Sequence, residues 1–244
     1  MMENLKDNHG YNQIWVDSKS TRVRASRRCD YMISHMEPSP QKNVLEIGCG
    51  TGVNSFMMAT RTGMDVLGTD LCEPFIAEAR AKYTLPNLRY EILNFNDPNR
   101  FEGQLFDYIV GNGILHHLYF HLDEALCNMK KLLKPGGKII FMEPNLYNPY
   151  IYLIFSYTSL RKAASLEPNE MAFSKKFAMR KLQNAGYENI KVEYKDFLLP
   201  GVPKFLILPL IKAGDFLEQT PLRSVSQSIG IVAENIVQSN LVNP

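Results

Sequence analysis

The sequence predicts an α/β fold, a doubly wound and mostly parallel sheet with helices on both faces. Between residues 43 and 142, short apolar segments alternate with segments whose apolar residues recur at helical spacing. A glycine-rich turn joins the first predicted strand to the helix that follows it. The 244-residue chain is 45% hydrophobic, which is enough for one sizeable core. We therefore expect a single domain over residues 1–244, with a cap or lid at 1–37 and apolar insertions near 144–173 and 197–224.

The elements follow in chain order from periodicity and from their end signals. Pro38 and Pro40 end the first helix, because proline cannot continue a helix. Gly63 suits the C-terminal cap of the second helix, and Pro74 suits the first turn of the third. A sharp turn is expected at 135–137, where a proline precedes two glycines. The predicted strands cover residues 43–47, 66–69, 88–93, 106–110, 138–142, 189–194 and 228–234, and the predicted helices cover 21–37, 53–61, 73–83, 121–133, 149–162 and 174–185.

Charge, cysteine usage and hydropathy exclude several classes of protein. The net charge is +2 and no extended basic patch is present, so we expect no nucleic-acid partner. The four cysteines are widely spaced and form neither a CxxC pair nor a zinc pattern, as in proteins of a reducing cytosol. The N-terminus has no apolar signal core, and no stretch approaches the ~18–20 apolar residues that span a bilayer. We expect a cytoplasmic protein, and contact with a membrane surface stays open because residues 197–210 are apolar although proline-broken.

The turn after the first strand has the form of a cofactor loop. Following Glu46, glycines stand at alternate positions, Gly48, Gly50 and Gly52. Glycines there let the backbone take positive φ and approach a ligand, and the next helix offers free amide groups. The dinucleotide fingerprint GxGxxG is not met, because Val53 occupies its third glycine position, and no P-loop sequence follows. A glycine turn without a ligand is the alternative.

Several motifs resemble those of class I, Rossmann-like S-adenosylmethionine-dependent methyltransferases. The E-x-G-x-G-x-G spacing is similar to the first motif of that superfamily. Residues 111–118 (G-N-G-I-L-H-H-L) and 132–138 (L-L-K-P-G-G-K) resemble the matching stretches of the branch that contains ubiquinone and menaquinone biosynthesis enzymes and many small-molecule methyltransferases. The resemblance covers residues 43–142 well and 174–194 loosely. It implies a seven-stranded sheet whose last strand is antiparallel, S-adenosylmethionine as cofactor, and S-adenosylhomocysteine as product.

Candidate cofactor contacts follow the second and third strands as well as the loop. Asp70 stands about twenty residues after the loop, where a carboxylate can accept both ribose hydroxyls; capping the next helix is the alternative. The resemblance implies that a side chain after the third strand binds the adenine amino group and that its neighbour packs on the ring. Asn94 and Phe95 stand there, with an amide where aspartate is commoner, although Asn96 and Asp97 would fit a register two residues later. The predicted cofactor contacts are Glu46, Gly48, Cys49, Gly50, Gly52, Asp70, Leu71, Asn94, Phe95, Gly111 and Asn112.

Candidate bases follow the fourth and fifth strands, at the edge where such sheets bind ligands. Methyl transfer needs mainly positioning, but an amine, phenol or acidic carbon must also lose a proton, so a general base helps. His116, His117 and Glu143 are the candidates; the histidines could instead cap or pack, and the glutamate could be a solvated carboxylate. Adjacent residues on an α-helix point about 100° apart, so at most one histidine should face the acceptor. For the same reason we expect no metal site, even with His121 nearby at the start of the next helix.

Aromatic residues mark the segments that we expect to bind the acceptor. Tyr11 and Trp15 stand in a polar N-terminal stretch, which we expect to close over the cofactor as a lid. The apolar insertions contribute Tyr147, Tyr152 and Phe205, so the expected acceptor is a small apolar or aromatic molecule. These insertions could instead pack as core, form a homodimer contact or touch a membrane.

Alternative functions stay open at this stage. The acceptor could be a lipid, quinone or polyprenyl-linked molecule at a membrane surface. Outside enzymes, the fold could serve as a cofactor-binding regulatory or scaffold module, although the intact loop and Asp70 argue against that. The basic run between residues 19 and 28 is expected to be a solvated helix face, or else to hold a phosphate or carboxylate of the acceptor.

Overall fold

The computed structural model describes residues 18–164, 166–199 and 201–236. Its strands are β1 (Asn43–Ile47), β2 (Asp65–Asp70), β3 (Leu88–Ile92), β4 (Phe106–Asn112), β5 (Leu133–Pro144), β6 (Glu188–Lys195) and β7 (Ser228–Glu234). They form one seven-stranded sheet in the order β3-β2-β1-β4-β5-β7-β6. β7 runs antiparallel to both β5 and β6, and the other neighbours are parallel. The predicted sheet, mostly parallel with an antiparallel last strand, is confirmed.

Helices cover both faces of this sheet. The α-helices of the described ranges are α1 (Lys19–Ile33), α2 (Val53–Thr62), α3 (Glu73–Lys82), α4 (Leu122–Leu132), α5 (Pro149–Ser156), α6 (Thr158–Ala163), α7 (Lys175–Asn184) and α8 (Ile207–Leu217). Short 3₁₀ segments lie at Pro98–Phe101, Leu115–His121, Lys204–Leu206 and Pro221–Val225. Within the described ranges, no helix is long and apolar enough to cross a bilayer.

Apolar side chains form a core on each face of the sheet. Ile109 of β4 and Phe141 of β5 belong to the core that α4 and α7 cover. Val110 follows Ile109 in β4, and Ile140 precedes Phe141 in β5. Both belong to the core under α1, α2 and α3. This alternation follows from the two-residue period of a strand. The sheet is therefore buried on both faces, and its exposed working surface is the edge formed by the strand ends.

Several elements differ from the sequence-based prediction, among them α8 (Ile207–Leu217), which was not predicted, and α1, which ends at Ile33 rather than at residue 37. α1 begins at Lys19, earlier than expected, because the Ser18 hydroxyl accepts a hydrogen bond from the Thr21 backbone N–H at 3.1 Å. The helix predicted at 149–162 is split into α5 and α6, because Tyr157 has an extended backbone. The turn predicted at 135–137 lies inside β5: Gly136 takes φ +76°, and the pairing with β4 shifts register there. A glycine in the left-handed region lets the strand absorb this irregularity without ending.

Candidate active site

The glycine-rich loop connects β1 to α2, and its three glycines differ in what surrounds them. A Cβ on Gly48 would lie 2.6 Å from Ile114 Cδ1, and one on Gly52 would lie 2.6 Å from Tyr90 Oη. These two positions therefore need glycine for packing within the protein. Gly50 is different, because at its φ of +53° a Cβ would meet no described atom within 4 Å. Open space at Gly50 is what the close approach of a ligand to the backbone requires.

Glu46 lies beneath the loop and joins it to α2. Its buried carboxylate accepts hydrogen bonds from Asn54 Nδ2 at 2.7 Å and from the Ser55 hydroxyl. Burial raises the pKa of Glu46 from 4.5 to about 7, and the two hydrogen bonds offset only part of that effect. Asn54 Oδ1 is buried and accepts no hydrogen bond from the described residues. A buried acceptor without a partner beside the loop can be satisfied by an N–H group of a ligand.

Asp70 closes the other side of the loop. One carboxylate oxygen accepts the Gly50 N–H and the other accepts the Cys72 N–H, each at 2.9 Å. Burial raises the pKa of Asp70, although the backbone amides oppose this shift. Cys72 is the N-cap residue of α3, so Asp70 does help to start that helix. Each carboxylate oxygen keeps a further lone pair, so this capping role leaves capacity for the predicted ribose hydroxyls.

Several of the other predicted cofactor contacts already bond to or pack against protein atoms. Asn94 Oδ1 accepts the Asn96 N–H at 3.0 Å, and Phe95 is buried in the core. Leu71 is exposed next to Asp70, and Cys49 is buried in the loop. A Cβ on Gly111 would collide with Phe141, so Gly111 is a packing position. The contacts of these residues with a cofactor stay predictions.

Asn112, at the end of β4, is held by the N-terminal helix. Arg28 of α1 donates to Asn112 Oδ1 at 3.0 Å, to Ser228 Oγ at 2.7 Å and to Asp196 Oδ2 at 3.1 Å. Arg24 donates to the same buried Asp196 carboxylate. Burial, together with the neighbouring charge of Arg28, lowers the pKa of Arg24 to about 10. The expectation of a solvated basic face is wrong for these two arginines, because both bind the buried carboxylate of Asp196.

His116 and Glu143 form a buried hydrogen-bonded pair between the ends of β4 and β5. Glu143 Oε1 accepts the backbone N–H groups of Ile114 and Leu115 at 3.0 and 2.8 Å. Its Oε2 atom accepts the His116 backbone N–H at 3.2 Å and lies 2.9 Å from His116 Nδ1. Glu143 is fully buried, so the reading as a solvated strand-end carboxylate is wrong. Because a carboxylate accepts hydrogen bonds, Nδ1 carries the proton and Nε2 is left with a lone pair in the neutral ring.

His117 forms a second pair, with a glutamate that the sequence did not reveal. His117 Nδ1 lies 3.0 Å from Oε1 of the buried Glu170. Burial by itself would lower the pKa of His117, but the hydrogen bond and the charge of Glu170 outweigh it and raise that pKa. Glu170 belongs to the apolar insertion, where neither periodicity nor a motif distinguishes it. Only the fold brings it to the histidines, through the backbone contact between Asn145 and Phe173.

Both histidines lie on the 3₁₀ segment Leu115–His121, before α4 begins. Their imidazole centroids are 4.2 Å apart with an interplanar angle of 39°. The expectation that only one could face the site assumed α-helical geometry, which this segment does not have. Two histidine–carboxylate pairs therefore lie side by side at the carboxyl edge of β4 and β5.

The aromatic residues predicted to bind the acceptor do not line an enclosed pocket. Tyr147, Tyr152 and Phe205 are 52%, 51% and 77% exposed. Tyr147 lies in the turn before α5, Tyr152 in α5, and Phe205 in the 3₁₀ turn before α8, and all three place large side chains in solvent. The remaining two predicted contacts, Tyr11 and Trp15, lie outside the described residues.

Comparisons with known proteins agree with this fold and loop. The family model described as "Methyltransferase domain" matches residues 44–137. The tRNA U34 carboxymethyltransferase of Pseudoalteromonas translucida is 29% identical over 121 residues, which are 49% of this chain and 37% of that protein. The chain thus spans little more than a third of that relative.

Solved structures share the architecture at low sequence identity. A SAM-dependent methyltransferase from Archaeoglobus fulgidus superimposes with a TM-score of 0.62 at 17% identity, covering 87% of this chain and 94% of that one. The CurJ carbon methyltransferase superimposes with a TM-score of 0.60 at 22% identity, covering 92% of this chain and 57% of that one. The architecture is therefore the class I, Rossmann-like methyltransferase fold. Residues 44–137 thus match a methyltransferase domain, and the fold around them is the one found in S-adenosylmethionine-dependent methyltransferase structures.

Proposed function

We propose that the protein transfers a methyl group from S-adenosylmethionine to a small apolar or aromatic acceptor, with His116 as general base. The observation that carries this proposal is the 2.9 Å contact between His116 Nδ1 and the buried Glu143 carboxylate. A regulatory or scaffold module would have no need of such a pair at the ligand edge of the sheet.

The described residues fit the proposed cofactor. Bound S-adenosylmethionine would supply the activated methyl group. Gly50 faces open space and Asn54 Oδ1 has no hydrogen-bond partner among the described residues, so both could receive groups of the cofactor. Asp70, already held by two backbone amides, would keep its remaining lone pairs for the ribose hydroxyls. These features favour Glu46 to Gly52 and Asp70 as the cofactor-binding residues.

Glu143 would act by fixing the orientation and tautomer of His116. Three backbone N–H groups hold its carboxylate in place, so the imidazole cannot rotate without breaking the Nδ1 hydrogen bond. The Nε2 lone pair is then available to remove a proton from an amine, a phenol or an acidic carbon as that atom attacks the methyl group. The likeness to a carbon methyltransferase makes an acidic carbon a reasonable member of this set.

The test is a cofactor-turnover assay over a panel of phenols, amines and acidic-carbon compounds. His116→Ala should lower kcat by about 10²- to 10⁴-fold, the usual contribution of a general base. Cofactor affinity should stay unchanged, because His116 acts on the acceptor. His121→Ala is the matched control, since His121 ends the same 3₁₀ segment without a carboxylate pair among the described contacts. Equal kcat in His116→Ala and the control would overturn the assignment.

The acceptor itself is proposed to contact the apolar insertions. Alanine at Tyr152 and at Phe205, in turn, should raise the acceptor KM. If neither variant changes KM or kcat while both stay folded, the acceptor binds elsewhere.

One observation favours a second candidate, a lipid, quinone or polyprenyl-linked acceptor at a membrane surface. The stretches 145–164 and 201–225 expose large apolar side chains together with Lys162, Lys204, Lys212 and Arg223. Their acidic residues, Asp215 and Glu218, are already paired with Arg27 and Lys195. Apolar side chains among unneutralised cations are typical of proteins that bind anionic bilayers at their surface.

Vesicle flotation distinguishes the two candidates. The double variant Leu208→Ser/Phe216→Ser should lose binding to phosphatidylglycerol vesicles, whereas Leu105→Ser should not. Leu105 is also exposed but precedes β4, at the opposite edge of the sheet. If the wild-type protein does not bind these vesicles but elutes as a dimer in size-exclusion chromatography, the exposed apolar surface of 145–164 and 201–225 would be assigned to a homodimer contact. The cytoplasmic location stays a prediction.

A further inference from the structure

We infer that His116, His117 and Glu170 form a binding site for a divalent transition-metal ion of the zinc type, and that the bound ion prevents His116 from acting as a base. One donor atom from each of the three residues lies within 4.8 Å of the other two. The sequence argued against zinc because adjacent histidines on an α-helix diverge. The observed 3₁₀ segment removes that objection, and the third ligand is Glu170 rather than His121.

The donor set matches zinc chemistry. Two imidazoles and one carboxylate are the ligands of many three-residue zinc sites, in which water takes the fourth position. At bond lengths of about 2.0–2.2 Å, tetrahedral ligand atoms lie roughly 3.3–3.6 Å apart. His117 Nδ1 and Glu170 Oε1 are already 3.0 Å apart. Because all three donors lie within 4.8 Å of one another, the widest gap must close by at most about 1.5 Å to reach this spacing.

Glu143 has the position of a carboxylate that supports a metal ligand. Because it binds His116 at Nδ1, the remaining donor, Nε2, is the one free to bind an ion. Two buried carboxylates adjoin the histidines, since Glu143 lies 2.9 Å from His116 Nδ1 and Glu170 lies 3.0 Å from His117 Nδ1. Buried negative charge of this kind offsets the cost of bringing a dication out of water.

An ion can reach the cluster through His117. The His117 side chain is 26% exposed, whereas the Glu170 side chain is 1% exposed. A bound ion would use the lone pair of His116 Nε2, so the ring could no longer accept a proton. This last step rests on the proposed function; metal binding itself does not.

The experiment measures Zn²⁺ affinity by competition with a chromogenic chelator, and coordination by the visible absorption of Co²⁺. The background variant is Cys127→Ser, because Cys127 is an exposed thiol that could bind metal by itself. His117→Ala and Glu170→Gln should each weaken Zn²⁺ binding at least tenfold. Glu143→Gln should weaken it about 10- to 100-fold, the effect of losing a carboxylate behind a metal-bound histidine. His121→Ala is the control and should leave the affinity unchanged.

The outcomes separate this inference from the proposed function. Unchanged Zn²⁺ affinity in both His117→Ala and Glu170→Gln would overturn the metal site, whatever the activity of His116→Ala. Weakened affinity in both variants, with unchanged cofactor binding and thermal unfolding, supports the site. If Zn²⁺ binds there and inhibits methyl transfer, and EDTA reverses the inhibition, the bound ion prevents His116 from acting as a base, as inferred. If Zn²⁺ binds there without inhibition, the site stands and the assignment of His116 as base is wrong.

Discussion

Residues 43–144, called the cofactor half after the cofactor site that we propose there, differ from residues 145–236, called the acceptor half after the proposed acceptor site, in where their apolar side chains lie. In β1 and β2, residues such as Leu45, Ile47 and Val66 are buried, and the charged groups of the loop have partners inside the protein. After β5, side chains such as Leu208 and Phe216, 69% and 67% exposed, point into solvent. In the first half, Gly50 is the loop glycine whose missing side chain faces open space rather than protein atoms. The second half has an outer surface that suits contact with another molecule.

The largest effect in the cofactor half is expected from Gly50→Val. The side chain would occupy the space where we place the cofactor, so the affinity for S-adenosylmethionine should fall at least about 100-fold. Gly63→Val is the matched control, because Gly63 also has a positive φ and no described atom within 4 Å of a Cβ. Titration calorimetry of both variants measures the difference. Equal affinities would mean that the ligand does not approach Gly50, and the contrast between the halves would then lose its basis.

The buried Glu46 should make stability depend on pH. Its folded-state pKa of about 7 exceeds the ordinary 4.5, so the folded state retains a proton that the unfolded chain has released. Stability from this group is therefore highest below pH 4.5 and is lost as pH rises to 7, by as much as about 3 kcal/mol. Glu46→Gln should reduce this slope in urea unfolding between pH 5 and 8, and the remaining slope is expected from Asp70 and His117, whose pKa values are also raised in the fold. The exposed Glu124→Gln should keep the slope, and a wild-type protein without one would show that Glu46 is ionised in the fold.

Asp70→Ala should weaken S-adenosylmethionine binding by about 1.5–3 kcal/mol, the range for hydrogen bonds to a charged group. Asp65→Ala, at the exposed start of the same strand, is the control and should bind normally. Comparable calorimetric affinities for the two variants would leave Asp70 only its capping role at α3.

The smallest effect is expected in the acceptor half, on the outer face of α8. Leu208→Ser should change the free energy of unfolding by no more than about 0.5 kcal/mol, because the side chain is solvated. Ile207→Ala, one residue earlier but buried, should cost about 2–5 kcal/mol. A loss above 1 kcal/mol in Leu208→Ser would show that this face is covered in solution, either within the chain or by a second copy.

The two halves also differ in how far the sequence could predict them. Local signals predicted the strands of the cofactor half well: β1 was predicted at 43–47 and found at Asn43–Ile47, and the glycine-rich loop joins it to α2 as predicted. The sequence named His116 and Glu143, which the structure brings together because both lie at or just after strand ends; their role in a site stays a prediction. The pairs His117–Glu170 and Arg28–Asp196 were not predicted. They join residues far apart in the chain, and no local pattern around Glu170 or Asp196 indicates a buried carboxylate. The lid and domain boundaries stay predictions.

The contacts of Arg28 imply an order of events in folding. Its hydrogen-bond partners Asn112, Asp196 and Ser228 stand 84, 168 and 200 positions further along the chain. Contacts of such long sequence separation form late, since the intervening chain must already be ordered before they can be made. α1 is therefore expected to be among the last elements to dock. In hydrogen exchange, its amides should lose protection by an opening that leaves the central strands closed.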